Sequence, residues 1–435
     1  MAGNMERSLY QSLITWKKSP FRKPLILFGA RQTGKTWLLK EFGKNEYQNL
    51  VYIDCDNNDQ IRNLFSDFDT DRLIRNLSAI SETDIQKGST LIVLDEVQEV
   101  PLALTSLKYF CEKAPEYHIA AAGSLLRIAK HEGSGFPVGK IDALTLYPMS
   151  FEEFLLAMDR KLLVERIHEH HWEDYSALRE TCRELLRQYY FTGGMPAVVQ
   201  RYVETQNLQE VRELQKRIIL DYRNDFSKHV SPDVLPRVNM VWDSIPAQLA
   251  KENKKFVYSA IRKGARAKEF ETAIQWLVDA GLVHKVMRLN KIGMPLKFYE
   301  DYDAFKLYHN DLGLLGAMVD IPAKSILIGD AYLSEYKGAF TEQYVLQQML
   351  AAGVHPYYYT NERSTLEIDF VVQKEKVYPV EVKAEENLKS KSLRSVVSAD
   401  ENLKGWRFSM SDFRDQDWMV NVPLYLVEEW VKTAE

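Results

Sequence analysis

The chain has few of the residues that cross-link a protein or anchor it in a membrane. Its 435 residues include 3 cysteines, Cys55, Cys111 and Cys182, which lie too far apart to indicate a disulfide framework or a cysteine-rich zinc module. No run of about 18 apolar residues occurs, and residues 1–20 lack an apolar core followed by a small-residue cleavage site. These absences predict a cytoplasmic protein that is neither secreted nor inserted in a membrane.

The chain also lacks an excess of positive charge and is not rich in glycine or proline. Only 20 Gly and 15 Pro argue against long disordered or collagen-like tracts. The 56 Lys and Arg against 61 Asp and Glu give a net charge of −5, so any contact with nucleic acid has to be local. The length predicts roughly two to four domains, each with its own core.

Residues 21–150 alternate between apolar segments and helical segments. The segments 25–28, 51–53, 91–94 and 119–122 are short and almost wholly apolar, as strands buried on both faces are. Because helical segments separate them, the pattern predicts an α/β fold with a parallel sheet covered by helices.

The segment that follows the first apolar strand reads GARQTGKT, which fits G-x-x-x-x-G-K-[ST] completely. Gly29 and Gly34 would let the backbone approach a phosphate closely, and Lys35 would bring a cation to the β- and γ-phosphates. Thr36 would offer its hydroxyl to Mg²⁺. The motif opens a predicted helix, so we expect ATP and Mg²⁺ to bind here.

Two carboxylates come directly after the apolar strand 91–94. Asp95 is placed to hold the Mg²⁺ shell, and Glu96 is placed to polarise an attacking water, which simple nucleotide binding does not require. Ser124 follows the next strand and could bond the γ-phosphate or that water. The alternative is an acidic turn after a core strand, which is less common downstream of a complete phosphate-binding loop.

The rest of the chain has a different pattern. Residues 151–250 are helical and heavily charged, with a turn predicted at 193–196. Residues 256–289 predict a helix, a turn, a helix and a strand. From 300 onward we expect a helix at 338–349 and two strands, Glu367 to Val372 and Val377 to Lys383, joined by a polar turn.

Five features together resemble one protein family. They are the phosphate loop, Leu94-Asp95-Glu96, Gly123-Ser124, the phrase LYPMSFEEF at 146–154 and the phrase GGMP at 193–196. Over nearly the whole chain they resemble the prokaryotic AAA-type ATPases that carry a C-terminal domain of unknown function. The resemblance implies an AAA-like ATPase core, a helical lid, a winged-helix unit and a C-terminal domain similar to PD-(D/E)XK nucleases.

The implied domains are the core at 1–150, the lid at 151–250, the winged-helix connector at 251–300 and the nuclease-like domain at 301–435. A homo-oligomer would be compatible with such a core.

Carried over by motif, the positions of the Walker A, Walker B and sensor residues are Lys35, Thr36, Asp95, Glu96 and Ser124.

One departure from the family pattern concerns the arginine finger. The segment PVGK at 137–140 ends in Lys140 where an arginine is expected. Lys140, Arg127 and Arg223 all stay open as candidates for a positive charge on a phosphate.

The two late strands carry a possible second metal site. Asp369 is followed after 11 residues by Glu381-Val382-Lys383, and alternation puts Glu381 and Lys383 on one face of a strand. With Glu342 from the preceding helix, these residues match the nuclease superfamily's helix glutamate, Asp, Glu and Lys in order. Glu342, Asp369 and Glu381 would bind a second Mg²⁺ or Mn²⁺, and Lys383 would stabilise the phosphate or position the attacking water. The alternative is an ion pair on a half-exposed sheet, and both metal binding and DNA cleavage stay open.

Residues 251–268 hold seven basic side chains against one acid, Glu252. They could contact DNA phosphates, although an ordinary solvated surface or protein packing is an equal alternative. The basic residues are Lys251, Lys254, Lys255, Arg262, Lys263, Arg266 and Lys268.

The segment His168-Glu169-His170-His171 invites a zinc interpretation. It is not H-E-x-x-H, because the position that needs the second histidine is Trp172. The sequence therefore predicts a solvent-facing charged helix there.

The leading hypothesis is a Mg²⁺-dependent ATP-hydrolysing protein coupled to DNA binding or processing through a nuclease-like domain. The alternative is a nucleotide-controlled protein-interaction switch whose C-terminal domain is an inactive scaffold. A small-molecule kinase is disfavoured because Glu96 is placed to act on water.

Overall fold

The computed structural model describes residues 5–56, 59–131, 135–251, 254–328, 334–361, 365–384 and 390–434. The chain divides into two compact units. The N-terminal unit comprises Glu6–Tyr147 and Trp276–Leu282, and the C-terminal unit comprises mainly Pro148–Gln275 and Val283–Glu435. No helix in the described ranges is long and apolar enough to span a bilayer.

The described residues of the N-terminal unit between 6 and 147 form five strands and six α-helices. The strands are β1 (Leu25–Phe28), β2 (Asn49–Asp54), β3 (Thr90–Asp95), β4 (His118–Ala122) and β5 (Asp142–Thr145). The helices are α1 (Leu9–Lys18), α2 (Lys35–Glu46), α3 (Asp59–Leu64), α4 (Thr70–Ser81), α5 (Pro101–Lys113) and α6 (Leu126–His131).

The strands of this unit form one parallel sheet in the order β2-β3-β4-β1-β5. The four apolar segments in the sequence are all strands of this sheet, which confirms the prediction of a parallel α/β fold. The fifth strand, β5, was missed because its residues are partly or fully exposed and carry no apolar run.

The sheet has a core on each face because successive side chains point to opposite sides of a strand. Ile92 and Leu94 belong to one core, together with residues of α4 and α5. Leu91 and Val93 belong to the other core, together with residues of α1 and α2. Burial on both faces explains why β3 reads as a continuous apolar run in the sequence.

The C-terminal unit contains a larger number of helices and a mixed sheet. Its helices are α7 (Phe151–Ala157), α8 (Lys161–His168), α9 (Arg179–Thr192), α10 (Pro196–Thr205), α11 (Leu208–His229), α12 (Leu235–Leu249), α14 (Leu312–Met318), α15 (Ala323–Ile328), α16 (Ser334–Ala351), α17 (Lys391–Val397) and α18 (Val427–Thr433), while α13 (Ala267–Asp279) has residues in both units. Its strands are β6 (Val283–Leu289), β7 (Glu300–His309), β8 (Tyr357–Thr360), β9 (Glu367–Gln373), β10 (Val377–Val382), β11 (Gly405–Ser409), β12 (Arg414–Asp415) and β13 (Met419–Pro423).

The eight strands form one sheet in the order β12-β13-β11-β10-β9-β8-β6-β7. β6 and β7 pair antiparallel, with Val283 opposite His309, and β6 also pairs with β8. The sheet therefore runs across the predicted domain boundary at residue 300, because the strand predicted for the connector pairs directly with the strands that follow.

The helices predicted to form a lid lie in the same unit as this sheet. The turn at 193–196 separates α9 from α10 as predicted, and Met149 N donates to Gly194 O at 2.6 Å. Phe151 N donates to Gln348 Oε1 on α16 at 2.7 Å. Hydrogen bonds from 149–151 thus connect the segment 146–154 to the segment 193–196 and to helix α16. The first two of these segments carry the family resemblance.

The prediction of a helix at 256–261 is wrong. Only Tyr258–Ala260 forms a short 3-10 turn. Phe256 instead donates its backbone N–H to Phe305 O at 2.8 Å, and its ring stacks on the Phe305 ring. Pairing beside β7 takes the backbone out of helical geometry, so the winged-helix arrangement stays a prediction.

Candidate nucleotide site

Three polar segments meet at one edge of the parallel sheet. β1 pairs with β4, and β4 pairs with β3, all in parallel. The carboxyl ends of these strands therefore lie at the same edge, where open α/β sheets bind ligands. The phosphate loop follows β1, Asp95 ends β3 and Ser124 follows β4.

The phosphate loop needs glycine at its two ends. Gly34 has φ of 94°, a conformation that other residues rarely adopt. Gly29 has φ of 150°, and a Cβ there would lie 2.3 Å from the Leu146 carbonyl oxygen. Leu146 in turn donates its N–H to Phe28 O at 2.8 Å, so the end of β5 lies against the start of the loop. A side chain at position 29 would force these segments apart.

Lys35 is held within the loop that precedes it. Its ammonium donates to Gly29 O at 2.9 Å and to Ala30 O at 2.8 Å, and the residue is only 6% exposed. Burial lowers the pKa of Lys35 to about 8, against the opposing effect of the Glu96 and Asp95 charges. An anionic phosphate at this loop would favour the charged form of the lysine.

The two predicted Mg²⁺ ligands are in direct contact. Thr36 Oγ1 donates to Asp95 Oδ2 at 2.6 Å. Tyr52 on β2 donates its hydroxyl to the same carboxylate oxygen at 2.9 Å, and Asp95 Oδ1 accepts from Glu96 N at 3.0 Å. A hydroxyl and a carboxylate are oxygen ligands of the kind that Mg²⁺ prefers. These residues fit an ATP-bound Mg²⁺.

Glu96 is fixed beside Ser124. Its backbone has the left-handed φ of 46°, and Gln98 Nε2 donates to its Oε2 at 2.7 Å. The same oxygen lies 3.4 Å from Ser124 N and 3.5 Å from Ser124 Oγ. Gln98 also packs on Gly123, where a Cβ would lie 2.0 Å from Gln98 Oε1. The Walker B glutamate and the sensor serine predicted from the sequence are therefore neighbours.

The candidates for an arginine finger all have partners within their own unit. Arg127 donates to Thr145 Oγ1 at 3.0 Å and lies over the Phe28 ring. Lys140 pairs with Glu112 at 3.0 Å. In the C-terminal unit, Arg223 pairs with Asp243 at 2.5 Å.

The predicted C-terminal residues lie on neighbouring strands. β9 and β10 pair antiparallel with Val380 opposite Phe370, and this register, continued by one residue, puts Asp369 opposite Glu381. Asp369 Oδ2 accepts from the Val382 N–H at 2.7 Å. Lys383 pairs with Glu381 at 2.9 Å, the ion pair of the alternative interpretation.

Glu342 on α16 contacts lysines that the sequence analysis did not assign to this site. Lys254 Nζ lies 2.6 Å from Glu342 Oε1, and Tyr308 donates its hydroxyl to Oε2 at 3.0 Å. Lys306 Nζ lies 3.7 Å from Oε2 and 2.6 Å from Glu367 Oε1. Two ammonium groups thus lie beside the Glu342 carboxylate.

The charged groups in this cluster change the pKa values of their neighbours. Although burial raises the pKa of Glu342, Lys254 and Lys306 outweigh it and hold that pKa below the usual range. Burial and the Glu342 charge raise the pKa of Asp369. Among the described residues, Glu342, Asp369 and Glu381 do not form a group whose oxygens all lie within 4.8 Å of one another. These carboxylates have ion-pair or hydrogen-bond partners within the protein, and a metal site at them stays a prediction.

Some basic side chains of the cluster at 251–268 are exposed and others are partly buried. Lys254 points to Glu342, and Arg262 pairs with Glu269 at 2.6 Å. Glu252 lies outside the described residues. The exposed basic residues of the cluster are Lys251, Arg262, Lys263, Arg266 and Lys268.

Four residues of these sites were missed in the sequence. Tyr52 and Gln98 carry no motif of their own, since a tyrosine in a strand and a glutamine in a turn are common. Lys306 could have been found, because in the sequence it lies between the apolar residues Phe305 and Leu307 of a strand. The structure shows that it is fully buried. A lysine in such a position needs a carboxylate partner. Lys254 was counted only in the basic cluster at 251–268, for which DNA contact and an ordinary solvated surface are both open.

The comparison with family models agrees with the N-terminal assignment. Residues 21–155 match the model described as an AAA domain. Residues 183–325 match a domain of unknown function (DUF8612), and residues 337–425 match a second one (DUF4143). A search of curated proteins finds no match.

Solved structures show a distant likeness over most of the chain. The Walker-type ATPase of Pyrococcus abyssi is 14% identical, with 73% of this chain and 96% of that chain covered and a TM-score of 0.47. The Aeropyrum pernix ORC1 protein in complex with DNA is 13% identical, with coverages of 73% and 92% and a TM-score of 0.28. Cdc6p from Pyrobaculum aerophilum is 14% identical, with coverages of 74% and 92% and a TM-score of 0.28.

The fold and the site define the N-terminal unit as a P-loop nucleotide-binding domain. Residues 21–155 of this unit are similar to the AAA domain.

Proposed function

We propose that the N-terminal unit hydrolyses ATP with Mg²⁺. The observation that carries the proposal is the 2.6 Å contact between Thr36 Oγ1 and Asp95 Oδ2, directly after the phosphate loop. In P-loop ATPases one hydroxyl and one carboxylate hold the Mg²⁺ that bridges the β- and γ-phosphates. Bound Mg²⁺ would neutralise charge that develops on the phosphates.

The residues have separate roles in this proposal. Lys35 and the loop N–H groups bind the β- and γ-phosphates. Glu96 accepts a proton from the attacking water and orients it, while Ser124 bonds that water or the γ-phosphate. Gln98 holds the Glu96 carboxylate through its 2.7 Å hydrogen bond and so acts as a positioning residue.

The test is phosphate release from ATP with and without Mg²⁺. We expect Lys35→Ala to abolish turnover, and Lys44→Ala, an exposed lysine on the same helix, to leave it unchanged. A Lys35→Ala protein as fast as wild type would overturn the proposal. Formation of a phosphorylated small molecule in place of free phosphate would revive the kinase alternative.

We further propose that the C-terminal unit couples turnover to a partner, for which DNA is the first candidate. The support is the exposed basic side chains at 262–268 and Lys251. Binding through phosphates weakens steeply with salt. Duplex and single-stranded DNA should bind in a salt-dependent way and accelerate ATP turnover. Replacing Lys263 and Arg266 by glutamine should weaken both effects.

The second candidate is a protein-interaction switch with an inactive C-terminal scaffold. The observation that favours it over DNA cleavage is the Lys254 ammonium at 2.6 Å from Glu342, where a metal would have to bind. The test is incubation of DNA with Mg²⁺ or Mn²⁺. Absence of cleavage, together with ATP turnover that ignores DNA, supports the switch, whereas cleavage that Asp369→Ala abolishes supports a nuclease.

A further inference from the structure

A cluster of carboxylates and imidazoles lies where α7, the end of α8 and α18 meet within the C-terminal unit. His168 and His170 are exposed, as the prediction of a solvent-facing charged segment requires, but the helix ends at His168 and each of the two histidines also contacts a glutamate of another helix. The members of the cluster are Glu152, His168, His170, Glu428, Glu429 and Lys432.

Three of these side chains converge on one point. His168 Nε2 lies 3.0 Å from Glu152 Oε2 and 3.6 Å from Glu429 Oε2. The ligand atoms of the three residues all lie within 4.8 Å of one another, and among the described residues no other group of three is as close. From this geometry we propose that Glu152, His168 and Glu429 bind a divalent transition metal of the zinc class.

The buried side of the cluster has unsatisfied hydrogen-bonding capacity. Glu152 is 6% exposed, and its Oε1 has no hydrogen-bond partner. Glu428 is 3% exposed, and its Oε2 also has none. Three carboxylates here face one lysine, Lys432, which lies 2.7 Å from Glu428 and 3.5 Å from Glu152. A divalent cation would supply the missing positive charge, which buried carboxylates require.

The donor set selects the class of metal. An imidazole nitrogen with two carboxylates suits Zn²⁺ and its neighbours, whereas Mg²⁺ and Ca²⁺ prefer oxygen ligands alone. Three protein ligands leave a fourth position for water. The His168 side chain is 48% exposed, so an ion can reach the site from solvent.

The surroundings resemble the outer shell of a metal site. His170 Nε2 lies 2.8 Å from Glu429 Oε1, whereas the other oxygen of this carboxylate, Oε2, is the one that lies 3.6 Å from His168 Nε2. A hydrogen bond to the second oxygen of a ligating carboxylate fixes its orientation. Such a metal would join the N-terminal turn of α7, the end of α8 and the C-terminal helix α18.

The competing explanation needs no metal. The neighbouring carboxylates Glu152 and Glu429 raise the pKa of His168, and a protonated His168 could pair with them both. In that case Zn²⁺ would find no specific site, so metal titration distinguishes the two explanations.

The experiment is titration of the full-length chain, freed of metal by a chelator, with Zn²⁺ against a competing indicator. We expect one equivalent to bind tightly and His168→Gln to weaken binding by at least about tenfold. The matched control is His171→Gln, an exposed histidine of the same segment, which should bind like wild type. Equal affinity of His168→Gln and wild type would overturn the proposal.

Two further measurements keep the proposal testable if His168→Gln folds poorly. Glu429→Gln should also weaken Zn²⁺ binding. Co²⁺ added to the unaltered chain should give the intense visible absorption of four- or five-coordinate cobalt, and Zn²⁺ should displace it and raise the melting temperature. A spectrum of six-coordinate cobalt only, with no rise in melting temperature, would exclude the site.

Discussion

The Thr36 hydroxyl and the Asp95 carboxylate are hydrogen-bonded at 2.6 Å, although 59 residues separate them in sequence. One lies at the start of α2 and the other at the end of β3, and the parallel sheet brings the two ends together. Both groups are oxygen ligands of the kind that Mg²⁺ prefers, and this contact is where we propose that a nucleotide-bound ion lies.

The first prediction concerns this metal position. Asp95→Asn keeps the shape of the side chain but removes its charge, so affinity for Mg-ATP should fall while affinity for ATP in chelator changes little. Fluorescent-nucleotide binding with and without Mg²⁺ measures both. Tyr52→Phe, which removes one hydrogen bond to Asp95 and keeps the carboxylate, serves as the control and should change Mg²⁺ dependence far less. Equal losses with and without Mg²⁺ would contradict the assignment.

The second prediction separates chemistry from binding. Glu96→Gln should retain ATP affinity and lower the turnover rate by roughly 10²- to 10⁴-fold, the usual contribution of a general base. Gln98→Ala should lower it by about tenfold, because Glu96 loses one hydrogen bond to a charged group. Single-turnover phosphate release measures both. Weaker binding with unchanged turnover in either variant would be the opposite of this expectation.

The third prediction is a pH dependence of ATP binding. Burial lowers the pKa of Lys35 to about 8, and the phosphates of ATP favour its charged form. Below about pH 8 the lysine is already protonated, so it adds no pH dependence. Above that pH, binding has to take up a proton, and the apparent Kd should rise by up to about tenfold per pH unit.

The measurement is the apparent Kd of the unaltered protein for a non-hydrolysable ATP analogue between pH 7 and 10, because the Glu96 charge contributes to the pKa of Lys35 and has to be kept. Lys35→Arg is the control, because an arginine stays charged throughout and its Kd should lack this rise. If the protein that keeps Lys35 has a constant Kd over this pH interval, the pKa of Lys35 is not lowered.

The fourth prediction concerns the buried lysine of the C-terminal unit. Lys306 is fully buried between Glu342 and Glu367, so Lys306→Met should reduce the free energy of unfolding by about 3–5 kcal/mol, as loss of one partner of a buried pair does. Urea unfolding measures this. Lys297→Met removes a lysine whose side chain is 67% exposed and should have little effect. Similar decreases in the free energy of unfolding of the two variants would show that the buried ion pair contributes no more to stability than the exposed one.

Local sequence was sufficient for the nucleotide site. The phosphate loop, the Asp95-Glu96 pair and Ser124 each follow an apolar run in the sequence. Such runs can be recognised as strands because a strand buried on both faces consists of continuous apolar residues. Parallel pairing then forces their ends to one edge, so Thr36 and Asp95 could be predicted to meet. Gln98 and Tyr52 could not, because their roles depend only on which side chains lie beside them.

In the C-terminal unit, only the tertiary structure identifies the partners of the buried charges. The spacing of Asp369, Glu381 and Lys383 fits a metal site and an ion-pair network equally well. Lys254 reaches Glu342 from 88 residues away, and no local pattern encodes which charge arrives there. The same holds for His170 and Glu429, 259 residues apart. Local periodicity specifies strands and helices, whereas the partners of buried charges depend on packing between distant segments.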